Sequence, residues 1–380
     1  MKIAIISRAN LEDRTYWSGT IESVYSNLKK HRNLKIIKID KLNNNLRKIY
    51  ALKREYFKYV KKIKFDESYN KYVSKNFGYQ IEKKLNYIKD IDFLLTFDTS
   101  LIAYVKTEIP IILWTDMLYS DYYKHYYGKK KISKSTINSI NFIEKKALNN
   151  CSKVILATKW AVLKARHKYK KLSKKIYLLH YGTNFKSDFK LKKINQSINK
   201  RSRRNLNLIT LSVDWKRKGL SKIIKLNNLI NKKAIKSKLK IIGISEKKLS
   251  NLNVETINFI NKNNKQGEKK LSRHLLKSHF HILFSSAEAY GVSLVEANSR
   301  GVPNISLKIG GISQIIKNRT NGLIFKKNTS LQLIADKIIK IFKDKTRYTN
   351  LAKSSYNEYK KNFAYKILIP KLIKIIKKNN

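Results

Sequence analysis

The chain has 380 residues, more than one ordinary core accommodates, so two domains are expected. Its 84 basic against 25 acidic residues give a formal charge of +59, which raises nucleic acid and anionic membrane surfaces as partners, yet the excess is spread through every segment among many Asn, Ile and Tyr residues with A/T-rich codons, and selects no partner by itself. Uncharged stretches fall short of the roughly 18–20 residues of a membrane-spanning helix, the apolar run of MKIAIISRAN is too short for a secretory signal, and the single Cys151 leaves no internal disulfide framework and fits a reducing cytoplasm.

Short apolar runs at 2–7, 34–39, 92–97, 109–114, 152–157 and 175–180 read as buried strands. Helical stretches at about 19–31, 46–64 and 136–149 separate most of them. A second series follows, with strands at 206–212, 238–243, 254–259, 280–285 and 303–307, and helices at about 219–232, 268–278 and 291–300. Strands alternating with helices imply parallel sheets with right-handed crossovers, and two such series imply two doubly wound, Rossmann-like α/β domains. The polar, basic stretch KSDFKLKKINQSINKRSRR, 186–204, has no clear period and reads as a linker between a domain over 1–185 and one over 205–355. Beyond residue 328 the pattern turns helical, at about 330–343, 345–361 and 364–378, with 356–380 read as C-terminal helices that could cross back to the first domain. The last is amphipathic despite Pro370 and suits packing on a domain or lying on a membrane surface.

The chemistry concentrates in SSAEAYGVSLVEANSRGVP, 285–303. A helix from Gly291 follows the strand FHILFSS, so the turn AEAYG lies at the carboxyl end of a parallel strand, where open α/β sheets bind ligands. The first amides of that helix, Val292 and Ser293, lack intrahelical acceptors and suit a phosphate, and Gly291 permits close backbone approach. Glu288 precedes the helix and Glu296 falls in its second turn, about 80° round. A carboxylate accepts paired hydroxyls, so two acids flanking a phosphate-binding helix start suit a nucleoside diphosphate sugar: ribose, pyrophosphate, hexose. Solvated helix-face glutamates are the competing reading, and the strand–turn–glycine context favours the ligand. LSVDWKRKGL, 211–220, supplies countercharge, with Arg217 and Lys218 before a helix that opens at Gly219.

These residues resemble the retaining nucleotide-sugar glycosyltransferases of family four, which have the GT-B fold: two Rossmann-like domains facing across a cleft. Glu288 to Glu296 (EAYGVSLVE) is similar to the family's Glu-x7-Glu pattern, continued by ANSRGVP, IGGISQII and NGLIF; WKRKG is similar to its basic pyrophosphate turn. YWSGT (16–20), WTDMLYSDYY (114–123), IEKKAL…CSKVILATKWA (143–161) and HYGTN (180–184) are softer echoes in the first half. The resemblance implies that Glu296 holds the ribose hydroxyls and Glu288 the transferred sugar. The amides of Val292 and Ser293, with Arg217 and Lys218, would hold the diphosphate. Gly19 would let a first-domain loop approach it, and Asp116 is the first-domain candidate near the reacting centre. Tyr290, with Gly291 among the donor-binding residues that the resemblance implies, keeps the aromatic of the usual Gly-Phe-Gly, while Val213 stands where many relatives carry arginine. His125 reads as a surface residue, and His180, His274, His279 and His281 as core or helix-end residues rather than metal ligands.

The expected activity is transfer of a sugar from a nucleoside diphosphate to a hydroxyl, with retention, by an enzyme needing no metal or cofactor, in surface glycan synthesis. It would act in the cytoplasm, on a glycan or glycolipid acceptor, with an anionic membrane surface as a further partner and nucleic acid as an unlikely one. Acceptor contacts are expected in first-domain loops near 8–18, 65–80 and 117–135. The alternatives are an epimerase or phosphorylase of the same fold, a basic nucleic-acid-binding protein, and an inactive scaffold.

Overall fold

The computed structural model describes residues 1–43, 46–128, 132–233, 235–244 and 253–378, apart from the side chains of residues 47 and 48. Positions 129–131 of the expected loop 117–135, parts of the expected 205–355 domain (234 and 245–252) and the last two positions of the expected 356–380 segment lie outside the described residues. The chain divides into two units. One comprises Met1–Tyr16, Val24–His180 and Ile369–Asn380, the other Trp17–Ser23 and Tyr181–Leu368.

The first unit is built from β1 (Lys2–Ile6), α1 (Thr20–Lys29, beginning inside the Trp17–Ser23 segment), β2 (Lys35–Ile39), α2 (Arg47–Tyr59), α3 (Lys71–Leu85), β3 (Phe93–Thr96), α4 (Thr99–Ile102), β4 (Ile111–Thr115), α5 (Tyr119–Tyr127), α6 (Lys134–Asn150), β5 (Cys151–Leu156), α7 (Lys159–Lys168) and β6 (Ile176–Leu178). Its six strands pair in parallel in the order β2-β1-β3-β4-β5-β6. Every residue of β4 is buried, as a central strand covered on both faces requires. Side-chain caps start the helices: Asn70 accepts from the Tyr72 amide, Ser133 from Thr136 and Thr158 from Ala161, each closing an orphan donor.

Two stretches expected as loops are largely helical. Residues 71–85 form α3, with Val73, Phe77 and Ile81 buried on one face, and 119–127 form α5. Tyrosine-rich composition hides the helical period there, because tyrosine serves strand, loop and helix alike.

The second unit holds α8 (Leu191–Asn199), β7 (Leu206–Leu211), α9 (Leu220–Lys232), β8 (Ser237–Ile242), β9 (Val254–Ile257), α10 (Lys265–Lys277), β10 (Phe280–Leu283), α11 (Val292–Asn298), β11 (Asn304–Leu307), β12 (Gly322–Phe325), α12 (Leu331–Lys343), α13 (Lys345–Asn362) and the start of α14 (Tyr365–Lys377). The strand order is β12-β11-β10-β7-β8-β9, again parallel throughout. The expected linker is helical over α8: Ile194 and Ile198, one turn apart, are buried, a two-residue stripe too sparse to stand out among lysines and asparagines. Residues of α14 from both units are buried, including Tyr365, Leu368, Leu372 and Ile376, so the last helix packs on protein while Pro370 faces solvent.

Candidate functional site

In the second sheet the chain runs from β7 outward through β8 and β9, then returns to β10 on the other side of β7. The carboxyl ends of β7 and β10 therefore flank the topological switch point, where doubly wound sheets bind ligands. The turns after these two strands are joined. The Ser286 amide donates to the Arg217 carbonyl at 2.7 Å. Gly219, at φ +69°, lies so near that a Cβ there would sit 2.4 Å from the Phe284 carbonyl oxygen, so only glycine fits at the end of WKRKG.

This junction brings the predicted charges together. Lys218 Nζ donates to Glu288 Oε2 at 2.6 Å, Ser285 Oγ at 3.1 Å, and Arg217 Nη1 reaches the same oxygen at 3.5 Å. Glu288 and Lys218 are both buried. Burial pushes the Glu288 carboxyl up, but the charges of Lys218 and then Arg217 outweigh it and hold the group below the usual carboxylate range. Arg217 is steered by Asp214, whose Oδ2 accepts from Nε at 3.1 Å. The Glu288 carbonyl accepts from the Gly311 amide of the IGGIS loop at 3.4 Å.

Gly291 caps α11 at φ +89°. The helix is shorter than the 291–300 expected, spanning Val292–Asn298, and Gly301 turns the chain at φ +62° shortly after it. Seven residues carry little dipole, so an anion held here would rest more on Lys218 and Arg217 than on the Val292 and Ser293 amides. Ser293 Oγ is buried with no hydrogen-bond partner among the described residues. Tyr290 is buried, donates its hydroxyl to the Tyr181 carbonyl and packs edge-on against that ring.

Glu296, in the second turn of α11, is paired with a residue that the sequence reading did not single out. Lys262, in the loop after β9, donates to Glu296 Oε1 at 2.7 Å and to the Ser18 carbonyl at 3.2 Å. The Ser18 carbonyl also accepts from Asn184 Nδ2 of HYGTN at 2.8 Å. Gly19 (φ +88°) follows Trp17 and Ser18, themselves at φ 49° and 56°. This loop, expected to belong to the first domain, belongs to the second unit. Asp116 lies in the first unit just after β4, half-buried, with Oδ1 accepting from the Met117 amide at 2.8 Å. Val213 is exposed. His279 and His281 are core residues of β10 and its approach, pushed by burial down to about 3 and about 4. His125 is half-buried rather than on the surface, its ring 4.8 Å from Trp160.

The first unit has its own cluster past β1, β3 and β4. Arg8 Nη2 pairs with Asp98 Oδ2 at 2.6 Å, and Tyr119 and Tyr123 both donate to Asp66. Beside them the rings of Tyr69, Tyr119, Tyr122 and Tyr126 stack in series, at centroid spacings of 3.9, 5.5 and 4.4 Å.

Residues 192–358 match the model of the family described as glycosyl transferases group 1. That stretch, in the second unit, is similar to the group 1 glycosyl transferases. Three solved structures illustrate the fold, all too distant in sequence to show more than that. Sucrose-phosphate synthase from Thermosynechococcus elongatus is 13% identical over 99% of this chain and 98% of its own, with a TM-score of 0.72. WaaG, described as a glycosyltransferase involved in lipopolysaccharide biosynthesis, is 12% identical over the whole of both chains, at 0.66. TarM is 15% identical over 80% of this chain, at 0.59; the match spans only 58% of TarM's length. A mutant of S. aureus TarM has been seen with UDP and alpha-GlcNAc-glycerol. No curated protein matched the sequence. The two parallel six-stranded sheets share the GT-B fold of these structures.

Proposed function

We propose that the enzyme moves a hexosyl group from a nucleoside diphosphate to a hydroxyl of a glycan or glycolipid, with retention, in surface glycan synthesis. The buried Lys218–Glu288 pair at the β7/β10 switch point carries this reading. The bond to Glu288 uses one of the three ammonium donors of Lys218. The others are available to a diphosphate oxygen, so one cation would link the acid that grips the sugar to the group that leaves. As the bond between the sugar carbon and the phosphate oxygen breaks, charge grows on the diphosphate, where fixed donors stabilise it. The new carbon–oxygen bond forms on the same face, and the acceptor's hydroxyl proton passes to the departing phosphate. Glu296 would accept the ribose hydroxyls, Ser293 would add a donor, and Gly19 would bring its loop to the donor's side. The reading includes no metal. Asp116 is the candidate polar group of the first unit near the reacting centre.

The direct test is a thermal-shift screen with UDP, GDP, ADP and their sugars. One nucleotide should raise Tm while the others do not, by the increment that mass action sets. Equal shifts for all, abolished by salt, would mean unspecific polyanion binding and sink the reading.

A cytoplasmic enzyme resting on an anionic membrane is part of the proposal, and α2 is the surface that supports it. Tyr50 and Phe57 pack with Phe65 on one side, while Ile49 (68% exposed), Leu52 (82%), Tyr56, Tyr59 and Val60 lie within an arc of about 100° on the outside. Lys53, Lys58, Lys61 and Lys62 are exposed around them. Apolar residues and tyrosines bordered by long cationic stems suit the interface of an anionic bilayer. The chain should sediment with vesicles containing phosphatidylglycerol, and a variant with Ile49→Glu and Leu52→Glu should stay in solution. Equal sedimentation of both proteins would overturn this assignment.

A further inference from the structure

We infer that Lys262 is a positioning residue for the donor's ribose, fixing the Glu296 carboxylate so that the site distinguishes a ribonucleotide from its 2′-deoxy form. The inference deepens the proposed reading of Glu296 and rests on it. Lys262 sits in the loop between β9 and α10, is only 9% exposed, and has Glu296, itself 3% exposed, as its carboxylate partner.

A lysine withdrawn from water this far costs stability unless its charge and donors are answered. Here the Glu296 carboxylate answers the charge, and a second donor goes to the Ser18 carbonyl at 3.2 Å. That carbonyl is held in turn by Asn184 at 2.8 Å. The consequence for Glu296 is geometric. A glutamate side chain turns about three bonds, and two adjacent ribose hydroxyls are met together only when the carboxylate plane is set. Lys262 claims Oε1 and pins that plane, and the second oxygen keeps its lone pairs for a ligand. The Tyr16–Gly19 loop is tied to the same ammonium, so the carboxylate and the glycine loop are referenced to one point.

A merely structural Lys–Glu pair would alter stability and leave sugar discrimination alone, so discrimination is the readout. Dissociation constants for UDP and 2′-deoxy-UDP, with GDP and 2′-deoxy-GDP in parallel, are measured by calorimetry on the full chain and on Lys262→Met, Lys262→Arg and Glu296→Gln. The wild type should prefer the ribonucleotide by about tenfold or more, the value of hydrogen bonds to a charged group. Glu296→Gln should abolish most of that preference. Lys262→Met should lose at least about half of it on a logarithmic scale, and Lys262→Arg should recover part. If Lys262→Met fails to fold, Lys262→Gln, which keeps a neutral donor, gives the same comparison. Undiminished preference in the Lys262 variants, with preference lost in Glu296→Gln, overturns the role of Lys262. Undiminished preference in Glu296→Gln overturns the ribose reading beneath it.

Discussion

Replacing Lys218 with methionine should lower the stability of the second unit by about 3–5 kcal/mol, the usual cost of stranding one member of a buried ion pair. Glu288 would lose its shortest ion pair, at 2.6 Å, while Ser285 stays at 3.1 Å and Arg217 at 3.5 Å. The double variant Lys218→Met with Glu288→Gln should recover most of the loss, because no charge is left buried. Urea unfolding followed by a probe in the second unit measures it. The sign of the pH response gives a second check. In the wild type Glu288 titrates below its ordinary 4.5 because Lys218 and Arg217 overcome the upward push of burial. Its contribution is present above that ordinary value and disappears as pH falls through the depressed one. In Lys218→Met the upward push dominates, so the deficit should shrink as the medium is acidified and the carboxyl takes a proton. A deficit that persists unchanged to low pH, or a double variant no better than the single one, would show that the pair is not what stabilises the junction.

Glu288→Gln should lower kcat by about 10- to 100-fold while leaving nucleoside diphosphate affinity within about threefold, because the acid is proposed to grip the transferred sugar and not the nucleotide. Lys218, proposed to hold the diphosphate, would remain and lose a charged competitor for its donors. Initial rates with donor and acceptor, beside calorimetry with the nucleotide alone, separate the two quantities. Parallel losses in turnover and nucleotide affinity would move Glu288 to the nucleotide and end its assignment to the sugar.

Much of the candidate site was legible because its motifs sit just past recognisable strands. The apolar runs of β7 and β10 place WKRKG and EAYGVSLVE at carboxyl ends, and glycine marks both helix starts. That Lys218 meets Glu288 needed the strand order, since β7 and β10 are neighbours in the sheet but 69 residues apart from Leu211 to Phe280. Lys262 was invisible for a different reason. It is one of 84 basic residues, and nothing local distinguishes a lysine that will be buried on a carboxylate from one that will be solvated. α8 was lost to the same background, and α3 and α5 to tyrosine's conformational neutrality. The membership of Trp17–Ser23 in the second unit had no local sign, because its partners lie far along the chain.

That last feature has a consequence for biosynthesis. Ser18 bonds to Asn184, 166 positions later, and to Lys262, 244 positions later. At about 5–20 residues per second of translation, the nascent loop waits on the order of ten seconds to a minute after leaving the ribosome before Lys262 has even been made. The Rossmann half that holds both glutamates is therefore assembled from a short early segment, Trp17–Ser23, and the much later stretch Tyr181–Leu368, and its early segment must wait for the rest.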